Sequence, residues 1–235
     1  MGCECEKGEE KVTELKSDTM NTNTNDRDEI HEYLAKRLAN NNDLSNIPKE
    51  EEDNNPLNID PNGKPKDEFS RYLFSLINSL RVNPQSYIDT ILRAKNNIEN
   101  KSGGKIYKSS VKVALNSGEQ AFDSAVKILK ETEPMSKLIY NPDLTIDIPT
   151  TENDIKSKGY LQSQIKKKIS EGVGIKSFWK DVVKDPDTCF ILTIVDDSGR
   201  NTGNKRNDIL DRNNKYIGIS SVKIGKSFAC YIVLS

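Results

Sequence analysis

Two adjacent carboxylates are the clearest candidates for chemistry in this 235-residue sequence. Asp196 and Asp197 follow an apolar run and precede Ser198-Gly199. A carboxylate pair can exchange protons with a substrate or hold a metal ion, but Asp-Asp-Ser-Gly at the end of a strand is more often a turn. The loop that follows carries three basic side chains, which repel a cation. We therefore interpret the pair as turn residues and predict no catalytic residue and no bound metal.

Nucleophilic catalysis offers no better candidate, because a serine or cysteine nucleophile needs a base that is usually histidine. The chain has one histidine, His31, in a polar segment beside Glu29 and Glu32. We interpret it as an exposed helix residue. Cys189 and Cys230 lie in predicted strands, where we expect buried free thiols. No glycine-rich phosphate loop and no Cys/His zinc spacing occurs. The sequence predicts a protein that is not an enzyme and needs no cofactor.

The N-terminal tip carries a different kind of site. Removal of Met1 exposes Gly2, the acceptor for myristoylation, beside the candidate palmitoylation sites Cys3 and Cys5. One myristoyl chain binds membrane with K of only about 10⁴ M⁻¹, whereas two chains attach a protein stably. Glu6 occupies the place where Ser or Thr is preferred, and the neighbouring residues are acidic rather than basic. The alternatives are an unmodified polar terminus and adventitious metal binding by Cys-x-Cys.

The composition limits the partners and the location. The formal net charge is −1, so nothing global favours nucleic acid, and none is expected as a partner. The lysines at 166–168 are interpreted as a solvated helix face. No apolar run approaches the roughly 20 residues that span a bilayer, and no secretory signal follows Met1. We expect a cytoplasmic protein that is not secreted, with reduced thiols and with acyl groups as its only membrane attachment. A cilium or the cell cortex is the alternative location.

Residues 1–65 are predicted to form an extended polar arm, because their composition buries too little apolar surface to fold alone. One amphipathic helix is predicted over residues 27–40. Its apolar face consists of Ile30, Tyr33, Leu34 and Leu38. No neighbouring segment of the arm covers this face, so we predict that it docks on the domain or on a protein partner. Residues 41–65 are rich in proline and are interpreted as a linker.

Residues 66–235 are predicted to form the domain. Apolar residues recur with a helical period in four segments: 67–82, 84–98, 117–131 and 155–169. Three strands are predicted over 189–197, 215–224 and 226–235, the last two joined by a hairpin turn at Gly225. Four apolar residues are expected in the core under a loop or short helix: Phe178, Trp179, Val182 and Val183. Helices followed by locally paired strands predict an α+β fold with helices packed on an antiparallel sheet.

Several motifs resemble, in the same order, those of the CAP superfamily, the SCP domains of cysteine-rich secretory, antigen 5 and pathogenesis-related class 1 proteins. The resemblance covers roughly residues 67–235. Two helical motifs carry it: Phe69-x-x-x-Leu73-x-x-x-Ile77-Asn78-x-x-Arg81-x-Asn83-Pro84 and Ser117-Gly118-Glu119-Gln120-Ala121 with Ala125, Leu129, Pro134-Met135 and Leu138. Three later motifs resemble the Asp-Asp-Gly, Arg-Gly-His-Arg-x-Asn-Ile and Val-Gly-Ile sequence of the family: Ile194-Val195-Asp196-Asp197, Lys205-Arg206-Asn207-Asp208-Ile209-Leu210 and Tyr216-Ile217-Gly218-Ile219.

The resemblance implies a three-layer α-β-α sandwich with a small antiparallel sheet, after the N-terminal arm. It also implies a cleft in which many CAP domains carry two histidines and two acidic residues, sometimes with a divalent metal. Here Lys205, beside Asn204, takes the place of one histidine, and residues 136–160 contain no second one. A lysine ammonium cannot replace a neutral imidazole as a metal ligand. With Asp196 and Asp197, these residues predict a degenerate cleft in an intracellular member.

These observations lead to three functional expectations. The first is a non-catalytic structural or adaptor component of a larger intracellular assembly, with its arm on a protein partner and its tip in a membrane. The alternative is a peripheral lipid- or sterol-binding CAP protein at a membrane surface, since the family includes an intracellular, myristoylated relative. The third is a metal-dependent hydrolase.

Overall fold

The computed structural model describes residues 63–101, 104–149, 151–197 and 203–235. They belong to one compact unit, Pro56–Ser235. The predicted arm helix, with Ile30, Tyr33, Leu34 and Leu38, lies outside the described residues.

The described residues form a mixed α/β fold with two small sheets. The helices are α1 (Glu68–Val82), α2 (Ile88–Lys95), α3 (Glu119–Glu131), α4 (Glu152–Lys156), α5 (Lys158–Ser170), α6 (Pro186–Val195) and α7 (Asn204–Ile209), with 3₁₀ turns at Pro84–Tyr87 and Pro142–Leu144. The strands are β1 (Ile98–Lys101), β2 (Gly104–Lys108), β3 (Lys112–Leu115), β4 (Ile139–Tyr140), β5 (Ser177–Val183), β6 (Tyr216–Ile224) and β7 (Ser227–Leu234).

The larger sheet has the strand order β4-β6-β7-β5. Its centre is the predicted hairpin of β6 and β7, which closes at the pair Ile224 and Ser227. Gly225 takes a φ of +55° in the turn between them, a conformation that favours glycine. Strand β5 pairs antiparallel with β7, and the two-residue β4 pairs parallel with β6. The hairpin prediction is thus confirmed, and the sheet is antiparallel apart from β4.

The smaller sheet is an antiparallel meander of β1, β2 and β3, which the sequence did not predict.

The helix predicted over 84–98 is shorter than expected. It divides into the 3₁₀ turn, α2 and the first residue of β1. Two of the other three helix predictions, 67–82 and 117–131, hold better, since α1 and α3 bury their apolar stripes. Asp67 caps α1 by accepting a hydrogen bond from Ser70 N at 2.8 Å.

The first predicted C-terminal strand, 189–197, is wrong, because these residues lie mainly in helix α6. An apolar run that is buried on nearly every side has no periodicity that separates a helix from a strand. The local signal lies just upstream. Asp185 caps the helix by accepting from Thr188 N at 2.7 Å, and Pro186 occupies the first helical position, which proline favours. Cys189 therefore lies in a helix, although it is a buried free thiol as expected.

The expectation of a loop or short helix around residues 178–183 is also wrong, because this segment is strand β5. Its side chains alternate, so Trp179 and Val183 are buried while Phe178 and Val182 are exposed. The helix predicted over 155–169 is interrupted at Ser157, which ends α4 and caps α5.

Two apolar clusters cover opposite faces of the larger sheet. Alternate strand residues such as Cys230 and Ile232 pack with α1, α2, α3 and α6. Their neighbours Tyr231 and Val233 pack with α4, α5 and the turn that ends at Leu144. Because successive strand side chains point to opposite faces, the hairpin β6–β7 is buried on both sides.

A buried arginine joins α1 to the segments that flank β4 and β6. Arg81 is fully buried, and its guanidinium donates only to backbone carbonyls. The acceptors are Ser136 O at 2.8 Å, Ile209 O, Asp211 O at 3.1 Å and Asn214 O at 3.3 Å. Burial lowers the pKa of Arg81, and the charge of Asp211 partly opposes this shift. The cation is thus held by carbonyl dipoles.

We expect Arg81→Lys to lower the free energy of unfolding by about 3 kcal/mol, because one ammonium cannot reach four carbonyls that then stay buried. Urea unfolding at pH 7 measures the loss. The matched control is Arg71→Lys at an exposed position of the same helix, which should change stability by less than about 0.5 kcal/mol. Equal effects at the two positions would contradict this role of Arg81.

A buried tyrosine on the other face lacks a hydrogen bond. Tyr231 is 1% exposed, and its hydroxyl has no partner within the described part of the chain. Burial raises the pKa of Tyr231 to about 12. The folded state therefore releases this proton at higher pH than the unfolded state. The stability that Tyr231 contributes is complete below about pH 10 and is lost as the pH rises towards 12.

We expect Tyr231→Phe to be as stable as the native chain at pH 8, or more stable by up to about 1 kcal/mol, because it removes an unpaired hydroxyl. Between pH 8 and 11 the native chain should lose about 1 kcal/mol more than the variant. Urea unfolding at both pH values tests this, with Tyr216→Phe at an exposed position as the control. A parallel loss in native chain and Tyr231→Phe would show that Tyr231 does not titrate as inferred.

Candidate degenerate cleft

The four residues predicted for the degenerate cleft lie on two consecutive segments. Asp196 and Asp197 follow the last residue of α6, and Asn204 and Lys205 begin α7. Asp196 is buried, and Asn204 is exposed. The structure brings Asp196 and Lys205 into direct contact, whereas Asp197 turns towards α3.

Asp196 ends helix α6 in the left-handed conformation, with a φ of +44°. Aspartate tolerates this region better than most residues. Its carboxylate accepts from Lys205 N at 2.9 Å, and its carbonyl accepts from Gly203 N at 3.0 Å. The predicted turn role thus corresponds to a helix C-cap, and the carboxylate stabilises the start of α7.

Asp197 stabilises the N-terminus of α3. Its carboxylate accepts from Ser117 N at 2.9 and 3.0 Å and from Gly118 N at 3.0 Å. These N–H groups immediately precede α3, where a negative charge is favourable. Asn116 adds a hydrogen bond from its side-chain amide to Asp197 O at 2.8 Å. Asp197 therefore binds backbone N–H groups of its own chain.

Lys205 forms an ion pair with Asp181 of β5, with Nζ and Oδ1 2.6 Å apart. Both side chains are about one-fifth exposed, at 21% and 17%. A lysine ammonium held by a carboxylate has no lone pair to offer a metal or a proton. Sequence reasoning missed Asp181, because strand β5 itself was not predicted.

Arg206, next to Lys205, entered the sequence analysis only as a motif residue and a basic side chain, and the structure buries it almost fully. Its guanidinium donates to Ile194 O at 2.9 Å, Val195 O at 3.3 Å and Ser124 Oγ at 3.2 Å. The carbonyls belong to the last turn of α6, where a cation is favourable. Burial lowers the pKa of Arg206, and the charge of Asp196 opposes this shift. Only the fold brings the arginine to this helix end.

The two buried thiols come from helix α6, which carries Cys189, and from strand β7, which carries Cys230. Cys230 of β7 pairs in register with Asp181 on one side and with Ser221 on the other. A hydrogen bond with Cys189, together with burial, raises the pKa of the Cys230 thiol well above its usual value. Since the thiolate is the nucleophilic form, Cys230 is suited to packing. Ser221 in turn donates to Asp67 at 2.6 Å.

The arrangement can hold helices together, because Asp196, Asp197, Lys205 and Arg206 all bind groups of the chain. Two buried atoms, Asp181 Oδ2 and Arg206 Nε, have no hydrogen-bond partner among the described residues. Over the described ranges, no three His, Cys, Asp or Glu side chains come together in a metal-binding group. The predicted acylation sites Gly2, Cys3 and Cys5, and also His31, lie outside the described residues.

We expect Asp197→Ala to lower the free energy of unfolding by about 1–3 kcal/mol, because it leaves two N–H groups without an acceptor. Asp197→Asn keeps one acceptor and should cost less. Thermal and urea unfolding measure both variants. Asp147→Ala, at a loop position whose side chain is 71% exposed, is the control and should change stability by no more than about 0.5 kcal/mol. Unaltered stability of Asp197→Ala would argue against the capping role.

None of the helices in the described segments is long and apolar enough to cross a membrane. In comparisons with protein-family models, curated proteins and solved structures, the chain matches none of them.

Proposed function

We propose that this protein is a degenerate CAP-like protein that works as a structural or adaptor component of an intracellular assembly. In this proposal the arm contacts a protein partner, and acylation of Gly2, Cys3 and Cys5 attaches the chain to a membrane. The protein acts from the cytoplasm, with a cilium or the cell cortex as alternative locations.

Two features of the fold support the CAP-like part of the proposal. The hairpin β6–β7 lies between two apolar clusters, with helices packed on both faces. This agrees with a three-layer α-β-α sandwich. Two residues of the first-helix motif also stabilise the fold of this chain. Asn78 exchanges two hydrogen bonds with the backbone of Leu138, at 2.7 and 3.1 Å, and Arg81 binds four carbonyls.

The observation that carries the non-catalytic proposal is the engagement of the cleft positions. Asp197 binds the N–H groups before α3, Asp196 binds the start of α7, and Lys205 is paired with Asp181. A general base or a metal ligand needs a free lone pair directed at the reacting group. Here the lone pairs are directed at the chain itself, so the site stabilises the fold.

A lipid-binding role at a membrane surface is the second candidate, and one observation favours it. Helix α5 exposes Lys166 and Lys167 together with Ile169, which is 54% exposed. Basic and apolar side chains on one helix suit an anionic lipid surface. No comparable observation on the described residues favours the metal-dependent hydrolase.

The proposal predicts that different mutations abolish membrane attachment and incorporation into the complex. The full chain is expressed in eukaryotic cells with N-myristoylation, and its N-terminal peptide is analysed by mass spectrometry. Gly2→Ala should abolish acylation and membrane pelleting but leave the chain in a large complex on a sucrose gradient. Ile30→Asp with Leu34→Asp should release the chain from the complex, because charges remove the apolar face. Lys36→Asp is the control on the predicted opposite face.

A chain that sediments as a monomer, or arm variants that stay in the complex, would refute the adaptor proposal. An unmodified Gly2 would refute the tether. Flotation of the unacylated full chain with vesicles of phosphatidylcholine and phosphatidylserine would favour the lipid-binding candidate.

A further inference from the structure

Strand β5 has an open edge. It pairs with β7 on one side, and none of the described residues pairs with its other side. A seven-residue edge strand offers a row of N–H and C=O groups to another chain. Two large apolar side chains add to this edge, since Phe178 is 39% exposed and Val182 is 51% exposed.

The side chains on this edge alternate between basic and apolar. Phe178, Lys180 and Val182 share one face of β5, and Lys176 and Lys184 flank the strand. Along the described chain, none of the three lysines has a carboxylate within 4.0 Å. The amines of Lys180 and Lys176 donate instead to backbone carbonyls, at 2.7 and 2.6 Å. Among the described residues, no carboxylate therefore neutralises these three lysines.

The neighbouring acids do not compensate them, because they are engaged elsewhere. Asp181 points to the other face and pairs with Lys205. Asp185 caps helix α6 through Thr188 N and Thr188 Oγ1. The edge thus presents positive charge and apolar surface together.

This pattern disfavours a second copy of the chain as the occupant. Antiparallel pairing of β5 with its own copy, centred on Lys180, sets Lys180 opposite Lys180 and Lys176 opposite Lys184. Like charges directly opposite each other destabilise a strand pair, and lysines on an edge strand are a known device against self-association. An acidic strand meets no such repulsion.

We propose that β5 binds an extended acidic segment of a partner protein, which adds to the sheet as a further strand. Acidic side chains of that segment face Lys176, Lys180 and Lys184, and apolar side chains between them pack on Phe178 and Val182. Backbone hydrogen bonds along the edge supply affinity, and the alternating charges supply specificity. This inference rests on the adaptor function and names the chemistry of one partner.

The test uses the full chain and a fluorescent nine-residue peptide in which glutamate and valine alternate on one face and threonine occupies the other. Fluorescence anisotropy should detect saturable binding that weakens between 0.1 and 0.5 M salt. A scrambled peptide of equal composition and a peptide with lysine in place of glutamate should bind at least about fivefold more weakly. Hydrogen exchange should show new amide protection in residues 177–183 when the peptide binds.

Matched variants locate the site. Lys184→Glu and Val182→Thr should each weaken binding about threefold, as expected for one exposed ion pair or one apolar contact. The controls are Lys166→Glu and Ile169→Thr on α5, which make the same kinds of change at exposed positions. The double variant Lys176→Glu with Lys184→Glu should reverse the preference and bind the lysine peptide more tightly than the glutamate peptide.

Three outcomes would overturn the inference: no binding by the folded chain, equal losses in the α5 controls, or binding without protection of residues 177–183. Each of these leaves the adaptor proposal standing if the arm variants still disrupt the complex. Conversely, peptide binding to a chain that sediments as a monomer in cells would support the edge site and refute the adaptor proposal.

Discussion

The burial of Arg81 is the constraint on which the rest of the domain depends. A guanidinium removed from water needs a hydrogen-bond acceptor for nearly every donor. Here the acceptors are carbonyls of the segment before β4, of the last residue of α7 and of the stretch between α7 and β6. These segments lead into neighbouring strands, so α1 cannot shift without leaving a buried charge unpaired. The arginine thus fixes the first helix relative to the sheet.

Charged side chains act on backbone groups at two further places. Arg206 binds the carbonyl end of α6, and Asp197 binds the amide end of α3. Each pairing agrees in sign with the helix dipole. The candidate cleft is therefore a junction of helix ends.

The parts of the fold that could be predicted carry a local signal in the sequence, either the helical period of a half-buried helix or the glycine of a hairpin turn. Helices α1 and α3 and the hairpin β6–β7 have a period or a turn signal in the sequence. Helix α6 was misassigned because it is buried on nearly every side, and β1–β3 are short and rich in lysine. In the candidate cleft the residues could be identified, but their roles could not. The partners of Asp197 and Lys205 are distant in sequence, and only tertiary packing brings them together.

The larger sheet is covered on both faces, whereas no described residue pairs with the outer edge of β5, and this difference bears on where the proposed partner binds. The central strands are covered on both faces, and Asp197, Asp196 and Lys205 bind groups of the chain, so a ligand at the candidate cleft must displace existing bonds. At the β5 edge no described residue pairs with the backbone groups, and the nearby lysine amines hold only neutral carbonyls. Exchanging such a contact for a carboxylate gains a charge-assisted bond. The proposed acidic partner is therefore favoured at the β5 edge rather than at the candidate cleft.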